Sequence, residues 1–379
     1  MTAIIDCDQH LYESRTLWGD HCDPSMRDEA LRIEDDDLGY PWVTWRDRKL
    51  GMADVQLPGE TVVIGERRNR RIAGERPDYV YDEVLPASYW EPAARREQIR
   101  AMGFDQTMLF PNFGLLWERR LSESLPALQA NMGAWNRWCG TVVSDGKGAL
   151  HPVAHLTLRD LDWLDAQLAE LDSAGVHLAM IAPAIVNGKP LSHPDHDRAW
   201  ASFAEHGVAP VFHVADQPRV FEDAWYTDDQ ETALVNTIES VFLYTPAALA
   251  ITDLIVNGTL EKHPGLRIGV VELSAIWVPL YLMMLDGAIR FTSKLNGQSL
   301  GGLTMEPSEY FRRQVRVAAF SYEQPARLMK QSGDLFMACS DYPHSEGTAT
   351  PIDDYRVQRC DPIEQPGLFG GNVEVLIGS

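Results

Sequence analysis

The chain has 379 residues, 45% of them hydrophobic, which is enough for one large core or for up to three domains. Its 33 Lys and Arg against 55 Asp and Glu give a net charge of −22, which argues against nucleic acid and membrane surfaces as partners. The five cysteines are widely spaced and include no Cys-x-x-Cys pair, so they indicate neither a disulfide framework nor a thiolate zinc site. With no signal-peptide pattern and no apolar run long enough to span a membrane, we expect a cytoplasmic protein.

The first predicted element is a short buried strand, "AIID", which runs directly into "CDQH". Residues two apart on a strand face the same side, so Asp8 and His10 would project together as a chelating pair. The alternative is that Asp6 or Asp8 caps the following turn while His10 bonds a backbone carbonyl. These residues alone leave the two interpretations equally open.

Residues 14–92 form a long irregular stretch that is rich in Asp, Arg, Trp and Pro. Its runs "YPWVTWRD" and "ETVVIG" flank turn residues and predict a β-rich insertion. We expect the insertion to cover a binding-site mouth or to contribute to a dimer interface. Its aromatic residues Tyr40, Trp42 and Trp45 are expected to pack beneath the ribbon.

Beyond residue 92, helical segments alternate with short apolar strands: "QTMLFPN", "LHPVAHL", "VHLAMIAP", "APVFHVAD", "LRIGVVEL", "RVAAF" and "LFMACSD". With "AIID" they make eight strands, a pattern typical of an α/β protein with a (β/α)8 TIM barrel. A doubly wound open sheet is disfavoured because no glycine-rich phosphate turn follows any of these strands. We therefore predict a single domain over residues 1–379, with the insertion at about 14–92.

Residues at the carboxyl ends of barrel strands share one mouth, and several of them could bind a metal. Strand 5 ends in His213, strand 6 in Glu272 and strand 8 in Asp341, with His344 just beyond. Together with the pair from strand 1, these imidazoles and carboxylates suit a divalent ion such as Zn²⁺ or Mn²⁺.

Each of these residues also has a structural explanation. His213 could be a satisfied core histidine, Glu272 could pair with Arg267 or Arg316, and Asp341 could lie in a capped turn. All of these explanations would have to hold independently, so one shared site is favoured. On the loop after strand 5, three further residues are weaker candidates for substrate contact: Arg219, Trp225 and Tyr226.

Five segments in order resemble the amidohydrolase-related branch of the metal-dependent amidohydrolase superfamily: "IIDCDQHLYE", "NGKPLSHPDHDRAWASFAEHGVAPVFHV", "KHPGLRIGVVELSAIWVPLYLMMLD", "SDYPHSEG" and "GGNVEVLIG". This family includes aminocarboxymuconate-semialdehyde decarboxylase and the resorcylate-type and carboxyvanillate-type decarboxylases. The resemblance spans the whole chain. It implies a distorted (β/α)8 barrel with one divalent metal ion. The implied reactions are hydrolysis or non-oxidative decarboxylation of small carboxylated, often aromatic, substrates.

Carried onto this sequence, the resemblance assigns four metal ligands: Asp8, His10, His213 and Asp341. Two positions depart from the family pattern. The first motif is commonly His-x-His, and Asp8 in its place makes the ligand set harder and favours Mn²⁺ over Zn²⁺. Glu272 replaces the usual catalytic histidine of strand 6. A carboxylate there could act as base for a metal-bound water, which favours hydrolysis.

The sequence thus predicts a metal-dependent hydrolase of a small carboxylated or aromatic substrate, with Glu272 or Asp341 as base and His344 in an orienting role. The alternative is a non-oxidative decarboxylase, because the carboxylate-x-His opening resembles those members of the family. A catalytically silent barrel used for binding is the third hypothesis. We further expect a homodimer.

Overall fold

The computed structural model describes residues 3–55, 64–225, 237–297, 302–344, 347–348 and 350–378. Within these residues the strands are β1 (Ile5–Asp6), β2 (His10–Leu11), β3 (Arg32–Asp35), β4 (Pro41–Trp45), β5 (Arg48–Met52), β6 (Gln106–Pro111), β7 (Leu150–His155), β8 (Leu178–Met180), β9 (Ala209–His213), β10 (Ile268–Val271), β11 (Val315–Ala319) and β12 (Phe336–Ala338).

The α-helices are α1 (Leu17–His21), α2 (Ile64–Ile72), α3 (Tyr81–Val84), α4 (Ala87–Trp90), α5 (Pro92–Ala101), α6 (Leu125–Gly146), α7 (Leu161–Ser173), α8 (Asp197–Glu205), α9 (Thr237–Val241), α10 (Thr245–Val256), α11 (Thr259–Lys262), α12 (Val278–Asn296), α13 (Pro307–Gln314), α14 (Pro325–Ser332), α15 (Pro351–Val357) and α16 (Asn372–Ile377). Short 3₁₀ segments lie at Pro24–Glu29, Phe113–Leu116, Arg119–Leu121, Pro194–His196, Asp223–Trp225 and Ser321–Glu323, and a π-helical turn at Gly367–Gly371.

The parallel strands form one sheet in the order β1, β6, β7, β8, β9, β10, β11, β12, with β2 also paired to β6. Backbone hydrogen bonds join its two edges. The Cys7 N–H donates to the Ala338 carbonyl (3.0 Å), the His10 N–H to Tyr342 (2.9 Å), and the Asp341 N–H to Asp8 (2.9 Å). The sheet therefore closes into the predicted (β/α)8 barrel, and all eight predicted strands are confirmed.

The barrel interior is filled by alternate residues of the strands, including Met108, Phe110, Val153, Met180 and Val211. The residues between them, such as Leu109, Ala154 and Phe212, pack outward in the cluster shared with the helices. This two-sided burial explains why the strands read as continuous apolar runs. Since side chains alternate, the residue two beyond each inward one also faces inward at the carboxyl end.

Local signals fix the helix that follows β6. The hydroxyl of Ser124 accepts the Ala127 N–H (3.2 Å) at the start of α6, and Pro126 lies in the first turn, where no N–H is needed. The helix ends at Gly146, and the capping residue Lys147 takes a left-handed conformation with φ of 49°. In this way α6 packs along β7 and sets the position of the strand.

The insertion combines an antiparallel sheet, β3–β4–β5, with the helices α1 to α4. The run "YPWVTWRD" forms β4 as predicted, and Tyr40 and Trp45 are buried. Of the run "ETVVIG", residues 60–63 lie outside the described residues. Ile64 and Gly65 begin α2, so the strand prediction is wrong there. The following arginine-rich segment has good helix propensity, which accounts for the difference.

Two further features bear on the sequence predictions. All five cysteines are buried free thiols. None of the helices in the described part of the chain combines the length and the apolar character that a membrane span requires.

Candidate metal centre

The closed barrel brings the strand-end residues into one cluster. His10 Nε2 lies 3.4 Å from Asp8 Oδ1 and 3.2 Å from Asp341 Oδ1. His213 Nε2 lies 3.5 Å from Asp8 Oδ1 and 3.3 Å from Glu272 Oε2. His344 Nδ1 is 2.9 Å from Asp341 Oδ1. The residues that the sequence predicted at four strand ends therefore meet at the mouth of the barrel.

Backbone carbonyls orient the two buried histidines. His10 Nδ1 lies 3.1 Å from the Pro111 carbonyl, and His213 Nδ1 lies 2.7 Å from the Val214 carbonyl. A carbonyl can only accept, so each Nδ1 must carry the proton and donate it. Each Nε2 then faces the carboxylates and is the ring nitrogen that can bind a metal ion when it carries no proton.

Several of these polar atoms are buried without a hydrogen-bond partner among the described residues. Both carboxylate oxygens of Asp8 and the Nε2 atoms of His10 and His213 have no hydrogen-bond partner within the described ranges. The side chains of these three residues are 0% exposed. Leaving a buried polar group unsatisfied costs about 1–3 kcal/mol, and more for a charge. Such a set of orphaned donors fits a divalent cation.

Two overlapping groups of ligand atoms each lie within 4.8 Å of one another. The first contains Asp8, His10, His213 and Glu272. The second contains His10, Glu272, Asp341 and His344. Glu272 belongs to both groups, so its carboxylate is close enough to bind the same metal ion as the other residues, in addition to being placed to act as a base. The sequence placed Glu272 among the metal-competent strand-end residues, but the predicted ligand set was Asp8, His10, His213 and Asp341, with Glu272 as a base.

His344 is held between two partners. Its Nδ1 contacts Asp341, its Nε2 lies 2.9 Å from Asn112 Oδ1, and its ring stacks on that of His10 at a centroid distance of 3.9 Å. The sequence reasoning missed Asn112. The signal available for it was its position directly after β6, at the same end of the barrel as the other candidates.

The backbone is strained at the two acidic strand-end residues. Glu272 has a φ of 53° and Asp341 a φ of 54°, in the left-handed region that non-glycine residues rarely adopt. Each such conformation costs on the order of 1–3 kcal/mol and persists only when its surroundings impose it. Downstream of Glu272, the Glu323 carboxylate accepts the Ala275 N–H (3.0 Å) and the Ser274 hydroxyl (2.5 Å), which fixes the loop.

The charges of the cluster influence one another. Burial alone would lower the pKa of His10, but the nearby carboxylates of Asp341 and Asp8 outweigh it and raise that pKa well above its ordinary value of 6.5. Burial would raise the pKa of Asp341, but the neighbouring imidazoles of His344 and His10 bring it below its usual range. A cation bound in this cluster would therefore compete with a proton on His10.

Other sequence candidates lie in different settings. The guanidinium of Arg267 donates to the Pro264 carbonyl (2.8 Å) and that of Arg316 to the Arg312 carbonyl (3.0 Å), whereas Glu272 lies against imidazoles. On the loop after β9, the exposures and partners of the weaker candidates differ: Arg219 pairs with Glu239 at 3.2 Å, Trp225 is exposed, and Tyr226 lies outside the described residues. Contact of these loop residues with substrate stays a prediction.

Comparison with known proteins gives structural neighbours only. No family model matches the sequence, and no curated protein matches it. Among solved structures, an amidohydrolase from Mycobacterium avium subsp. paratuberculosis K-10 is 22% identical with a TM-score of 0.77, over 100% of this chain and 99% of that chain. The chain shares the fold of that protein.

Two decarboxylases share it. The 5-carboxyvanillate decarboxylase of Sphingomonas paucimobilis is 14% identical with a TM-score of 0.65, over 100% of this chain and 99% of that chain. That of Novosphingobium aromaticivorans, complexed with manganese and 4-hydroxy-3-methoxy-5-nitrobenzoic acid, is 14% identical with a TM-score of 0.64, over 100% and 96%. At these identities the likeness is one of fold, and it confirms the fold that the family resemblance implied.

Proposed function

We propose that this protein is a metal-dependent hydrolase of the amidohydrolase type that acts on a small carboxylated or aromatic substrate. The observation that carries the proposal is the position of the Glu272 carboxylate. Its Oε2 lies 3.3 Å from His213 Nε2, and its side chain is 12% exposed while Asp8, His10 and His213 are fully buried. Glu272 is therefore the acidic group of the cluster that faces both the ligand atoms and the open mouth.

Asp8, His10, His213 and Asp341 would hold one Mn²⁺ or Zn²⁺. A divalent ion in such a site lowers the pKa of a bound water and polarises a substrate carbonyl. The Glu272 carboxylate would accept the proton of the attacking water and return it to the leaving group. His344, fixed by Asn112, would orient the Asp341 carboxylate. Asp8 in place of a second imidazole makes the donor set harder, which favours Mn²⁺.

Non-oxidative decarboxylation is the second candidate. Two of the structural neighbours are 5-carboxyvanillate decarboxylases, one of them complexed with manganese and a nitrobenzoic acid. The carboxylate-x-His opening, Asp8 and His10, also resembles that branch of the family. In this reaction the substrate carboxylate would bind at the cluster, and a proton would be delivered to the carbon that loses CO₂.

Labelling with ¹⁸O and detection of CO₂ distinguish the two reactions. Protein loaded with Mn²⁺ is incubated in H₂¹⁸O with hydroxylated benzoic acids and with small carboxylated esters and amides. Incorporation of ¹⁸O into the product supports hydrolysis. Release of CO₂ without ¹⁸O in the remaining product supports decarboxylation and contradicts the proposed base role. A well-folded wild type that binds no metal would instead favour the catalytically silent barrel.

A homodimer is our proposal for the assembly. Along α12 and the turn before it, apolar side chains are exposed on one side of the helix, at positions that follow one another mostly at spacings of three, four or seven residues: Ile276, Leu280, Met283, Met284, Phe291 and Leu295. The same row on a second copy could meet it around a two-fold axis. Light scattering should give twice the chain mass for the wild type and a monomer for Met283→Glu. A monomeric wild type would contradict the proposal.

We also propose a cytoplasmic location, because five buried free thiols fit a reducing compartment. Cell fractionation tests it, and recovery of the native protein with the secreted fraction would contradict it.

A further inference from the structure

Asp6 is a fully buried carboxylate that the proposed chemistry does not use. Each of its oxygens accepts two hydrogen bonds. Oδ1 accepts the N–H of Asp8 (3.1 Å) and of Ser340 (2.9 Å), and Oδ2 accepts Gln9 Nε2 (2.8 Å) and the Ser340 hydroxyl (2.5 Å). Four buried bonds to one side chain indicate a defined structural task.

The donors come from both sides of the barrel seam. Asp8 belongs to the first strand region and is itself a proposed ligand, whereas Ser340 directly precedes the proposed ligand Asp341. The Asp341 N–H donates to the Asp8 carbonyl across the same seam (2.9 Å). Asp6 therefore fixes the backbones that carry Asp8 and Asp341 relative to each other.

The strain at Asp341 explains why such a connection is needed. Its φ of 54° is a conformation that the surrounding contacts must impose. Ser340 supplies them: its N–H and hydroxyl donate to Asp6, and its Oγ accepts the Tyr342 N–H (3.2 Å). Ser340, which precedes Asp341, is fixed by Asp6, and Tyr342, which follows Asp341, is fixed by Ser340. The orientation of the Asp341 carboxylate is therefore fixed from both sides.

The connection continues to His10. Gln9, which donates to Asp6, accepts a bond from the buried Arg95 at 3.1 Å, and Arg95 also donates to the His10 carbonyl at 2.7 Å. One buried network thus reaches three of the proposed ligands through their backbones. None of the four bonds to Asp6 described above involves a ligand side chain, so its effect on an ion would be indirect.

We infer that Asp6 is a positioning residue that sets the metal affinity of the cluster by holding the Asp8 and Asp341 backbones at ligand spacing. The inference rests on the proposed metal site. Mutation of a residue that orients metal ligands by hydrogen bonding, without binding the metal itself, typically weakens metal affinity by about 10–100-fold.

The chain offers a matched control in Glu13. It is also fully buried, burial likewise raises its pKa to about 7 as it does that of Asp6, and it accepts two backbone N–H groups, from Phe113 (2.9 Å) and Gly114 (2.7 Å). Those donors lie on the loop after β6 and not at the seam. Asp6→Asn and Glu13→Gln are therefore equivalent changes that differ in whether a ligand-bearing backbone is released.

The experiment measures the dissociation constant of Mn²⁺ by calorimetry for wild type, Asp6→Asn, Glu13→Gln and Ser340→Ala, and records the visible spectrum of each protein with Co²⁺. We expect Asp6→Asn to weaken binding by about 10–100-fold and to alter the Co²⁺ spectrum. Glu13→Gln should stay within about twofold of wild type. Ser340→Ala removes only the hydroxyl bond, so it should weaken binding by a smaller factor.

The outcomes distinguish a failure of the positioning role of Asp6 from a failure of the metal site itself. If wild type binds Mn²⁺ and Asp6→Asn binds it as tightly as Glu13→Gln does, the positioning role is overturned while the metal site stands. If wild type binds neither Mn²⁺ nor Zn²⁺, the proposed function fails and the role of Asp6 fails with it. Should Asp6→Asn not fold, Ser340→Ala decides, and an unchanged constant in that variant overturns the role.

Discussion

Two buried strand-end histidines allow a direct test of the metal site. His213 and His155 end the strands β9 and β7, and both side chains are almost fully buried. His155 Nε2 contacts Glu118 Oε2 at 3.0 Å, whereas His213 Nε2 faces the cluster without a hydrogen-bond partner among the described residues. We predict that His213→Ala abolishes stabilisation by Mn²⁺ and that His155→Ala keeps it.

The expected size follows from ligand linkage. An ion at a hundred times its dissociation constant adds about 2.7 kcal/mol to the free energy of unfolding. With an unfolding entropy of about 2.1 cal/mol/K per residue, a chain of 379 residues gains about 3 °C in melting temperature from that amount. Both substitutions also cost stability by removing a buried ring, and that loss appears with and without metal.

The assay is thermal unfolding of each protein in chelator and in excess Mn²⁺, followed by circular dichroism. The compared quantity is the difference between the two conditions, which removes the cost of the lost ring. A shift that persists in His213→Ala would refute the assigned ligand role. A shift lost equally in both variants would show that the barrel mouth as a whole, and not His213, carries the effect.

Three further predictions can be tested separately. Burial lowers the pKa of His10 but neighbouring carboxylates raise it well above 6.5, so Mn²⁺ should bind more tightly as pH rises, by up to about tenfold per unit, until His10 is deprotonated. Because folding raises the pKa of His10, the metal-free protein should lose stability as the pH rises from 6.5 to that raised pKa. Calorimetry that shows a constant Mn²⁺ affinity at several pH values would contradict the predicted pH dependence of binding. Glu272→Gln should keep one bound metal while turnover falls by about 10²–10⁴-fold, and unchanged turnover would exclude the base role. In Gly370→Ala the new Cβ would lie 2.1 Å from the Ala3 carbonyl oxygen, so chemical denaturation should show a loss of about 2 kcal/mol or more. Gly65→Ala should show no loss, because its new Cβ would meet no atom of the described residues within 4 Å.

The barrel was predictable because its signals are local. Apolar runs of strand length alternate with amphipathic helical segments, and a parallel barrel turns that order directly into strand order. The insertion was less predictable. The segment "ETVVIG" has β-branched residues typical of a strand, but its last two residues join the arginine-rich helix α2.

The site residues were predictable where strand periodicity applies. Asp8, His10 and His213 lie at the strand ends that their sequence positions indicated. Asn112 was missed because its partner, His344, is 232 residues away and no pattern connects them. Asp6 was named only as a possible cap of the following turn, which fits its bond to the Asp8 N–H. Its bonds to Ser340, which span 334 residues, could not be predicted in the same way. Contacts across the seam depend on closure, which no local window of sequence contains.

The seam also determines when the site can form during folding. Two of the six cluster residues lie within the first ten residues of the chain, and Asp341 and His344 complete the cluster only near its end, so a nascent chain that lacks its last strand cannot assemble the whole cluster. Contacts so distant in sequence form late, because a long loop must close before they are made. Metal ions can therefore stabilise the finished barrel, but they cannot guide its early folding.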